Sequence, residues 1–220
     1  GDVYKRQAVY RVSLVGLDIA GNEGVSNVID DVTFDDIPPE ISVISPAAES
    51  FINSPVIGLR SNEALNIASV DWIWQEGEED TKKEYTSNLV GGTLDEGEYP
   101  QVKFDPEPSL TSGAWYAVTF NGTDRAGNSA IYNHGRLFFD NSPPVLLGKF
   151  PQNNSFVNVP EISYSTDENL IEGFVTWKPV DGAENIKIDL SLNELLSGTF
   201  GIGTLSSQTE LVDGTVYNVE

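Results

Sequence analysis

The chain repeats itself with a period of about one hundred residues. Landmark residues return in the same order, first 106 and then 105 positions later: Tyr10, Asp18, Gly21 and Asn22 match Tyr116, Asp124, Gly127 and Asn128, and Asp35, Pro38, Pro39, Pro46, Phe51, Glu63 and Trp72 match Asp140, Pro143, Pro144, Pro151, Phe156, Glu168 and Trp177. This period is too long for the helical unit of a solenoid and fits separate domains of β-sandwich size. The chain is therefore predicted to be a piece of a tandem array.

Both ends of the chain are predicted to be cut. A weaker repeat is found near the C-terminus. There Leu211, Gly214 and Tyr217 each follow their counterparts, Leu110, Gly113 and Tyr116, by 101 positions. The last residues are therefore interpreted as the opening of a further copy. At the N-terminus, residues 2–7 match the translation of a transposase end sequence that is used to fragment DNA for sequencing, so residues 1–7 are interpreted as an adapter scar.

The composition restricts the class of protein. Acidic residues outnumber basic ones by 34 to 12, which gives a net charge of -22. Such a surface repels nucleic acid and anionic membranes and attracts divalent cations. A hydrophobic content of 39% is too high for a disordered acidic tail, and no apolar run is long enough for membrane insertion. There is no Cys, so disulfides cannot stabilise the fold.

The strand pattern predicts an all-β fold. Apolar and polar residues alternate over residues 10–16 and again over residues 116–122, which is the period-two pattern of half-buried strands. Gly and Pro separate the segments, and only residues 192–196 suggest a short helix. The predicted class is therefore a β-sandwich.

Several motifs together resemble a known group of domains. They are residues 110–128, which run from a Gly turn through Tyr116 to Asp124-Arg-Ala-Gly-Asn128, the Asp-x-x-Pro-Pro segments 35–39 and 140–144, and the Ser/Thr-Asx-Glu-x-Leu segments 61–65 and 166–170. The pattern resembles bacterial Ig-like and fibronectin type III-like tandem repeats of large, adhesin-like surface proteins. The Cys pair that joins the two sheets of antibody domains is absent. The resemblance implies an extracellular repeat module.

This resemblance divides the chain into one complete Ig-like domain and two truncated ones. Residues 8–37 would hold strands F and G of the first domain, residues 38–141 a complete second domain, and residues 142–220 a third that stops before strand G. Tyr116 then stands at the start of strand F, where a tyrosine corner is expected.

The four Trp residues are predicted to differ in role. Trp72 and Trp177 are expected to pack between the sheets, as a strand Trp does in Ig-like cores. Trp74 and Trp115 have no aromatic match in the next repeat, and either one, if exposed, would be the better ligand platform.

One group of acidic and amide side chains is a candidate metal site. In an Ig-like sandwich the entering linker and two loops share one pole, so carboxylate and amide oxygens should converge there: Asp35, Asp36, Glu63, Asp124 and Asn128. Ca²⁺ takes six to eight oxygen ligands in flexible geometry, so this set is a hypothetical Ca²⁺ site. Half of a second site would come from Asp140, Asn141, Asp167 and Glu168, and the first domain keeps the complementary pair, Asp18 and Asn22.

The same residues have a purely structural interpretation. Asp-x-Ala-Gly-Asn makes a good hairpin turn, because Asp bonds the backbone two residues on, and Gly and Asn tolerate positive φ. Three acidic loops that converge without a cation would repel one another, which favours Ca²⁺. The charged run of residues 76–84 is interpreted as a solvated loop.

No catalytic motif is found. His134 is the only His, and it has no Cys partner, no second His at metal-binding spacing and no Gly-x-Ser-x-Gly elbow. The chain is therefore predicted to be a non-enzymatic spacer, stalk or adhesion module at the cell surface, with neighbouring repeats and an unknown surface protein or glycan as partners. Ca²⁺ would stiffen its domain junctions. The alternative is an accessory carbohydrate-binding sandwich of a secreted hydrolase, which coplanar exposed aromatics would favour.

Overall fold

The computed structural model describes residues 8–206 and 210–220, and the predicted adapter scar at residues 1–7 lies outside them. Strands dominate, with one short 3₁₀ turn at Gly91–Leu94, so the predicted all-β class is confirmed. The chain divides into two compact units at Ser142 and Pro143.

The first unit opens with a hairpin that we call the leading hairpin. It consists of β1 (Ala8–Val12), β2 (Val15–Leu17), β3 (Glu23–Val25) and β4 (Ile29–Phe34). β1 pairs with β4 and β2 with β3, both antiparallel. Its turn is held at Gly21, whose φ of 88° suits Gly and few other residues.

The rest of the first unit is a two-sheet sandwich. Its strands are β5 (Ile41–Ser45), β6 (Phe51–Ile52), β7 (Gly58–Ser61), β8 (Leu65–Gly77), β9 (Glu84–Leu89), β10 (Gly97–Tyr99), β11 (Phe104–Asp105), β12 (Ala114–Asp124) and β13 (Ser129–Phe139). One sheet has the order β10-β7-β5, and the other has the order β11-β9-β8-β12-β13-β6.

Alternation along the strands builds the core of this sandwich. Every second residue of β12 is buried, from Ala114 to Asp124, as the period-two pattern predicts. Trp72 and Tyr116 lie fully inside, so the predicted burial of Trp72 is confirmed. The Thr111 amide donates a 2.8 Å hydrogen bond to the Tyr116 hydroxyl, which confirms the predicted tyrosine corner.

The second unit contains two smaller sheets. Its strands are β14 (Leu146–Phe150), β15 (Glu161–Thr166), β16 (Phe174–Pro179), β17 (Ile186–Asp189), β18 (Gly198–Thr204) and β19 (Tyr217–Val219), in the orders β14-β15-β18 and β17-β16-β19. Trp177 is buried at its centre, as predicted. Residues 192–196 form turns and a bend, so the prediction of a short helix there was wrong.

Matching residues of the two units form the same hydrogen bonds. The Glu40 amide donates to the Asn62 side-chain oxygen at 2.8 Å, and the Val145 amide donates to Asp167 Oδ1 at 2.8 Å. The Tyr corner returns as well, since the Val212 amide donates to the Tyr217 hydroxyl at 2.9 Å. The repeat in the sequence is therefore also a repeat of local structure.

Candidate metal centre

Three carboxylates from separate segments meet at one end of the sandwich in the first unit. Asp35 lies in the linker between β4 and β5, Glu63 in the loop between β7 and β8, and Asp124 at the end of β12. One oxygen from each lies within 4.8 Å of the others. The two loops converge because β12 pairs with β8 as far as Asp124 and Leu65.

Asp124 is locked in place by its own turn. The amides of Gly127 and Asn128 donate to Oδ1 at 2.7 and 2.9 Å, and the Asn128 side-chain amide donates to Oδ2 at 2.9 Å. Burial raises the pKa of Asp124, but hydrogen bonds from Asn128 and the turn amides outweigh it, so the pKa lies below its usual value of 3.8. Asp124 is therefore ionised at neutral pH although it is only 1% exposed.

Asn128 joins this turn to the linker. Its side-chain amide also donates to the Asp35 carbonyl oxygen at 3.1 Å. The turn thereby sets the position of the linker backbone and of the neighbouring Asp35 carboxylate. Asn128 acts here as a hydrogen-bond donor that positions the other groups.

The same turn forms in the leading hairpin. There the Asn22 amide donates to Asp18 Oδ1 and its side chain to Oδ2, both at 2.8 Å. Asp18 is exposed, and these hydrogen bonds lower its pKa. The motif therefore makes a stable turn by itself, as the structural interpretation predicts. What distinguishes Asp124 is the added presence of Asp35 and Glu63.

The donor set fits a hard cation. Two ligands that lie 2.3 to 2.6 Å from a Ca²⁺ ion are at most about 5 Å apart, which is the span of these three carboxylates. Asp124 accepts three hydrogen bonds and Asp35 Oδ1 accepts one from the Ile37 amide at 3.2 Å, so these carboxylates would offer a cation the lone pairs that remain. Three carboxylates at this separation repel one another unless a cation or protons offset their charge.

The other predicted ligands lie outside this group. Asp36 is exposed. Asp140 accepts hydrogen bonds from the Ser112 hydroxyl at 2.8 Å and the Ser142 amide at 3.0 Å, and Asn141 is exposed beside it. Glu168 belongs to the second unit, where its carbonyl oxygen accepts from Thr166 Oγ1 at 2.9 Å. The second site stays a prediction.

Asp80 was missed by the sequence analysis. It lies in the run predicted to be a solvated loop, yet it is 2% exposed, so the prediction was wrong at this residue. Oδ1 accepts from Tyr85 and the amides of Lys82 and Lys83, and Oδ2 accepts from Tyr116. The only signal of this burial in the sequence is that Asp80 is followed by a turn and then by a core residue, Tyr85.

The aromatic residues on the sandwich surface do not form a flat platform. Phe51, Trp115 and Phe138 pack together with their rings inclined at 57° to 62°. Arg136 lies over the Trp115 ring at 4.4 Å, and Lys83 lies over the Trp74 ring at 5.1 Å. Tilted rings covered by cations lack the coplanar arrangement that would favour the carbohydrate-binding alternative.

His134 offers no catalytic arrangement among the described residues. Burial lowers its pKa, and Nε2 is buried without a hydrogen-bond partner. Its ring lies 6.3 Å from that of Tyr132. No described helix has the length and apolar character needed to span a bilayer.

Comparison with known proteins gives a structural likeness and no sequence match. No protein-family profile and no curated protein matches the sequence. A crystal structure of a tetra-tandem repeat in the extending region of a large adhesion protein is similar at 17% identity and a TM-score of 0.33. The match covers 92% of this chain and 50% of the other, so this chain spans about half of its length.

Proposed function

We propose that this chain is a non-catalytic, extracellular repeat segment of a large bacterial surface protein, and that it serves as a spacer or adhesion module whose domain junction is stiffened by Ca²⁺. The supporting observation is the convergence of Asp35, Glu63 and Asp124 within 4.8 Å. A site of this kind joins the linker to the loops of the following sandwich. It therefore acts on the joint between domains.

The mechanism is mechanical. A cation shared by Asp35 and Glu63 would fix the linker against the sandwich, and the Asn128 hydrogen bond to the Asp35 carbonyl holds the linker backbone nearby. Without the cation, repulsion among the carboxylates would loosen the joint. The net charge of -22 favours the capture of divalent cations and keeps neighbouring rods apart.

Calorimetric titration of the chain with Ca²⁺ tests the proposal. Glu63→Gln and Asp35→Asn should abolish the tightest binding event, because each removes one carboxylate and leaves the Asp124 turn intact. Glu107→Gln is the matched control, since it removes an equal charge at an exposed position far along the chain. Binding that is equal in Glu63→Gln and Glu107→Gln would refute the site, as would equal affinity for Mg²⁺, which demands stricter octahedral geometry.

A further inference from the structure

The outward face of the six-stranded sheet, which we call the large sheet, carries few charges in a strongly acidic chain. β12 lies between β8 and β13. Its outward positions hold no charged residue: Trp115, Ala117, Thr119, Asn121 and Thr123. Among the outward positions of its neighbours, residues 67–73 of β8 contribute one acid, Asp71, and β13 contributes one base, Arg136. The whole chain has a net charge of -22, so a second copy would meet little repulsion on this face.

Exposed apolar side chains lie along one diagonal of this face. Ile73 on β8 is 39% exposed, and Ile131 on β13 is 70% exposed. Ile73 pairs with Ala117, and Ile131 pairs with Asn121 on the other side of β12, so the line between the two Ile residues crosses β12 close to Thr119. The side chain at the crossing is small, so one flat surface can cover both Ile residues.

The two charged residues lie on opposite sides of this diagonal. Asp71 pairs with Thr119, whereas Arg136 pairs with Ala117, two residues away along β12. Strands lie about 4.8 Å apart and rise about 3.3 Å per residue, so Asp71 and Arg136 are separated by about 12 Å. The face is therefore apolar or small along its middle, with a carboxylate on one side and a guanidinium on the other.

Both charged groups keep hydrogen-bonding capacity for a further contact. Each oxygen of Asp71 accepts one hydrogen bond, from Thr86 at 2.6 Å and from the Asn121 amide at 2.8 Å. A carboxylate has about four acceptor sites, so Asp71 can accept more. Arg136 donates through Nε and one terminal nitrogen to Glu49 and Glu76, which leaves further N–H groups of its guanidinium to bond an acceptor.

We propose that two copies of this chain pack face to face through their large sheets, about a two-fold axis that runs along the diagonal from Ile73 to Ile131. In such a contact the same patch is used by both copies, so that residue i meets j and j meets i. Asp71 of each copy would face Arg136 of the other, while Ile73 and Ile131 would each pack near their own counterpart. The contact does not involve the candidate metal centre, which lies at one end of the sandwich.

The face is large enough for a stable dimer. Four adjacent strands, β9, β8, β12 and β13, give it a width of about 19 Å, and the 11 residues of β12 span about 36 Å. The product is about 700 Å², close to the value of about 800 Å² that each partner buries in a standard interface. The composition fits as well, because the cores of interfaces are depleted in charge and enriched in aromatic residues such as Trp115 and Phe138.

Light scattering of the full chain over a concentration series, in chelator and at several salt levels, tests the proposal. The mass should double as concentration rises, and salt should promote this by screening the repulsion between two acidic chains. Ile131→Asp should weaken the association at least about tenfold, because it places two carboxylates against each other near the axis. Ile44→Asp is the matched control, since Ile44 is 48% exposed on β5 of the other sheet.

A monomeric mass at every concentration and salt level would overturn the proposal, as would equal association of the Ile131→Asp and Ile44→Asp variants. A chain that stays monomeric, but whose Trp fluorescence responds to a neutral glucan oligosaccharide, would assign the face to a glycan instead.

A double-mutant cycle on the dimer tests the position of the axis. Asp71→Asn and Arg136→Gln should each weaken the association about fivefold, because two symmetric ion pairs are lost at once. The double variant should associate little more weakly than either single variant, because each substitution removes the same contact. Within one chain the two residues lie too far apart to couple directly, so non-additivity reports contact between copies. Additive losses would show that Asp71 and Arg136 do not meet, which would overturn the proposed axis.

Discussion

The Tyr116 hydroxyl donates a 2.5 Å hydrogen bond to the buried carboxylate of Asp80, 36 residues earlier in the chain. The same hydroxyl accepts from the Thr111 amide, so one Tyr joins its own strand to the loop that precedes β9. Asp80 also accepts from Tyr85. This network ties together β9 and β12, which lie on either side of β8 in the large sheet.

Substitution of Asp80 by Asn should destabilise the first unit by about 2 kcal/mol, because the amide cannot accept from all the present donors and hydrogen bonds to charged groups contribute about 1.5 to 3 kcal/mol. Urea unfolding measures this effect. A Trp177→Phe background restricts Trp fluorescence to the first unit, which holds Trp72, Trp74 and Trp115. Glu107→Gln should leave the midpoint of urea unfolding unchanged. An equally small effect of Asp80→Asn would contradict the stabilising role of the hydrogen-bond network.

Acid should unfold the first unit through Asp80. Burial raises the pKa of this carboxyl, but hydrogen bonds from Tyr116, the backbone of Lys82 and Lys83, and Tyr85 lower it below 3.8. A depressed pKa stabilises the fold above the unfolded-state value and loses that effect as pH falls through the folded-state value. The unfolding free energy should therefore fall below about pH 4. In Asp80→Asn the unfolding free energy should depend less steeply on pH in this range. An unchanged pH dependence would assign the acid effect to other groups.

Alkaline pH should weaken the same network from the other side. Burial and the bond to Asp80 raise the pKa of Tyr116 to about 12, above the usual value of 10. A raised pKa stabilises the fold below pH 10 and loses that effect as pH rises towards 12. Tyrosinate absorbance, followed together with unfolding, should show several late-titrating groups, because the pKa of Tyr164 is also raised to about 12 and that of Tyr85 is raised as well. One of these groups should disappear in Tyr116→Phe. Tyr10→Phe is the control, since Tyr10 is exposed.

Gly127→Ala should destabilise the first unit by about 1 kcal/mol, because Gly127 has a φ of 98° and an Ala side chain is strained there. The Cβ itself would meet open space, so the loss reports backbone strain alone. Gly92→Ala is the matched control: it too has open space, and its φ lies outside the left-handed region. Equal stability of the two variants would show that the turn does not depend on Gly127.

The sequence could predict features that depend on local periodicity. Alternation along strands such as β12 fixes which residues point inward, so the all-β class followed from the pattern. The burial of Trp72 and Trp177 followed from alternation together with the resemblance to Ig-like cores. The Tyr116 corner was predicted from the resemblance, which places Tyr116 at the start of strand F, and the structure identifies its partner as the Thr111 amide. The convergence of Asp35, Glu63 and Asp124 was predictable because the sandwich topology brings the linker and loops to one end.

The features that were missed depend on non-local packing. Asp80 lies among acidic neighbours, and its burial depends on hydrogen bonds from the turn, from Tyr85 and from the distant Tyr116. Residues 192–196 contain apolar residues at helical spacing, but Glu194 bonds the Ser191 and Ser206 amides at 2.7 and 2.8 Å, which holds a turn. The role of Asn128 as a donor to the linker was equally invisible, because an amide can serve as donor or metal ligand.

The distance between two spin labels tests most directly whether Ca²⁺ stiffens the junction. Labels at Asn27→Cys in the leading hairpin and Gln101→Cys in the sandwich occupy exposed positions in a chain without native Cys. We expect a broad distance distribution in chelator and a narrow one in Ca²⁺, with no narrowing in Glu63→Gln. A distribution that is the same with and without Ca²⁺ in the unsubstituted junction would contradict the proposed function.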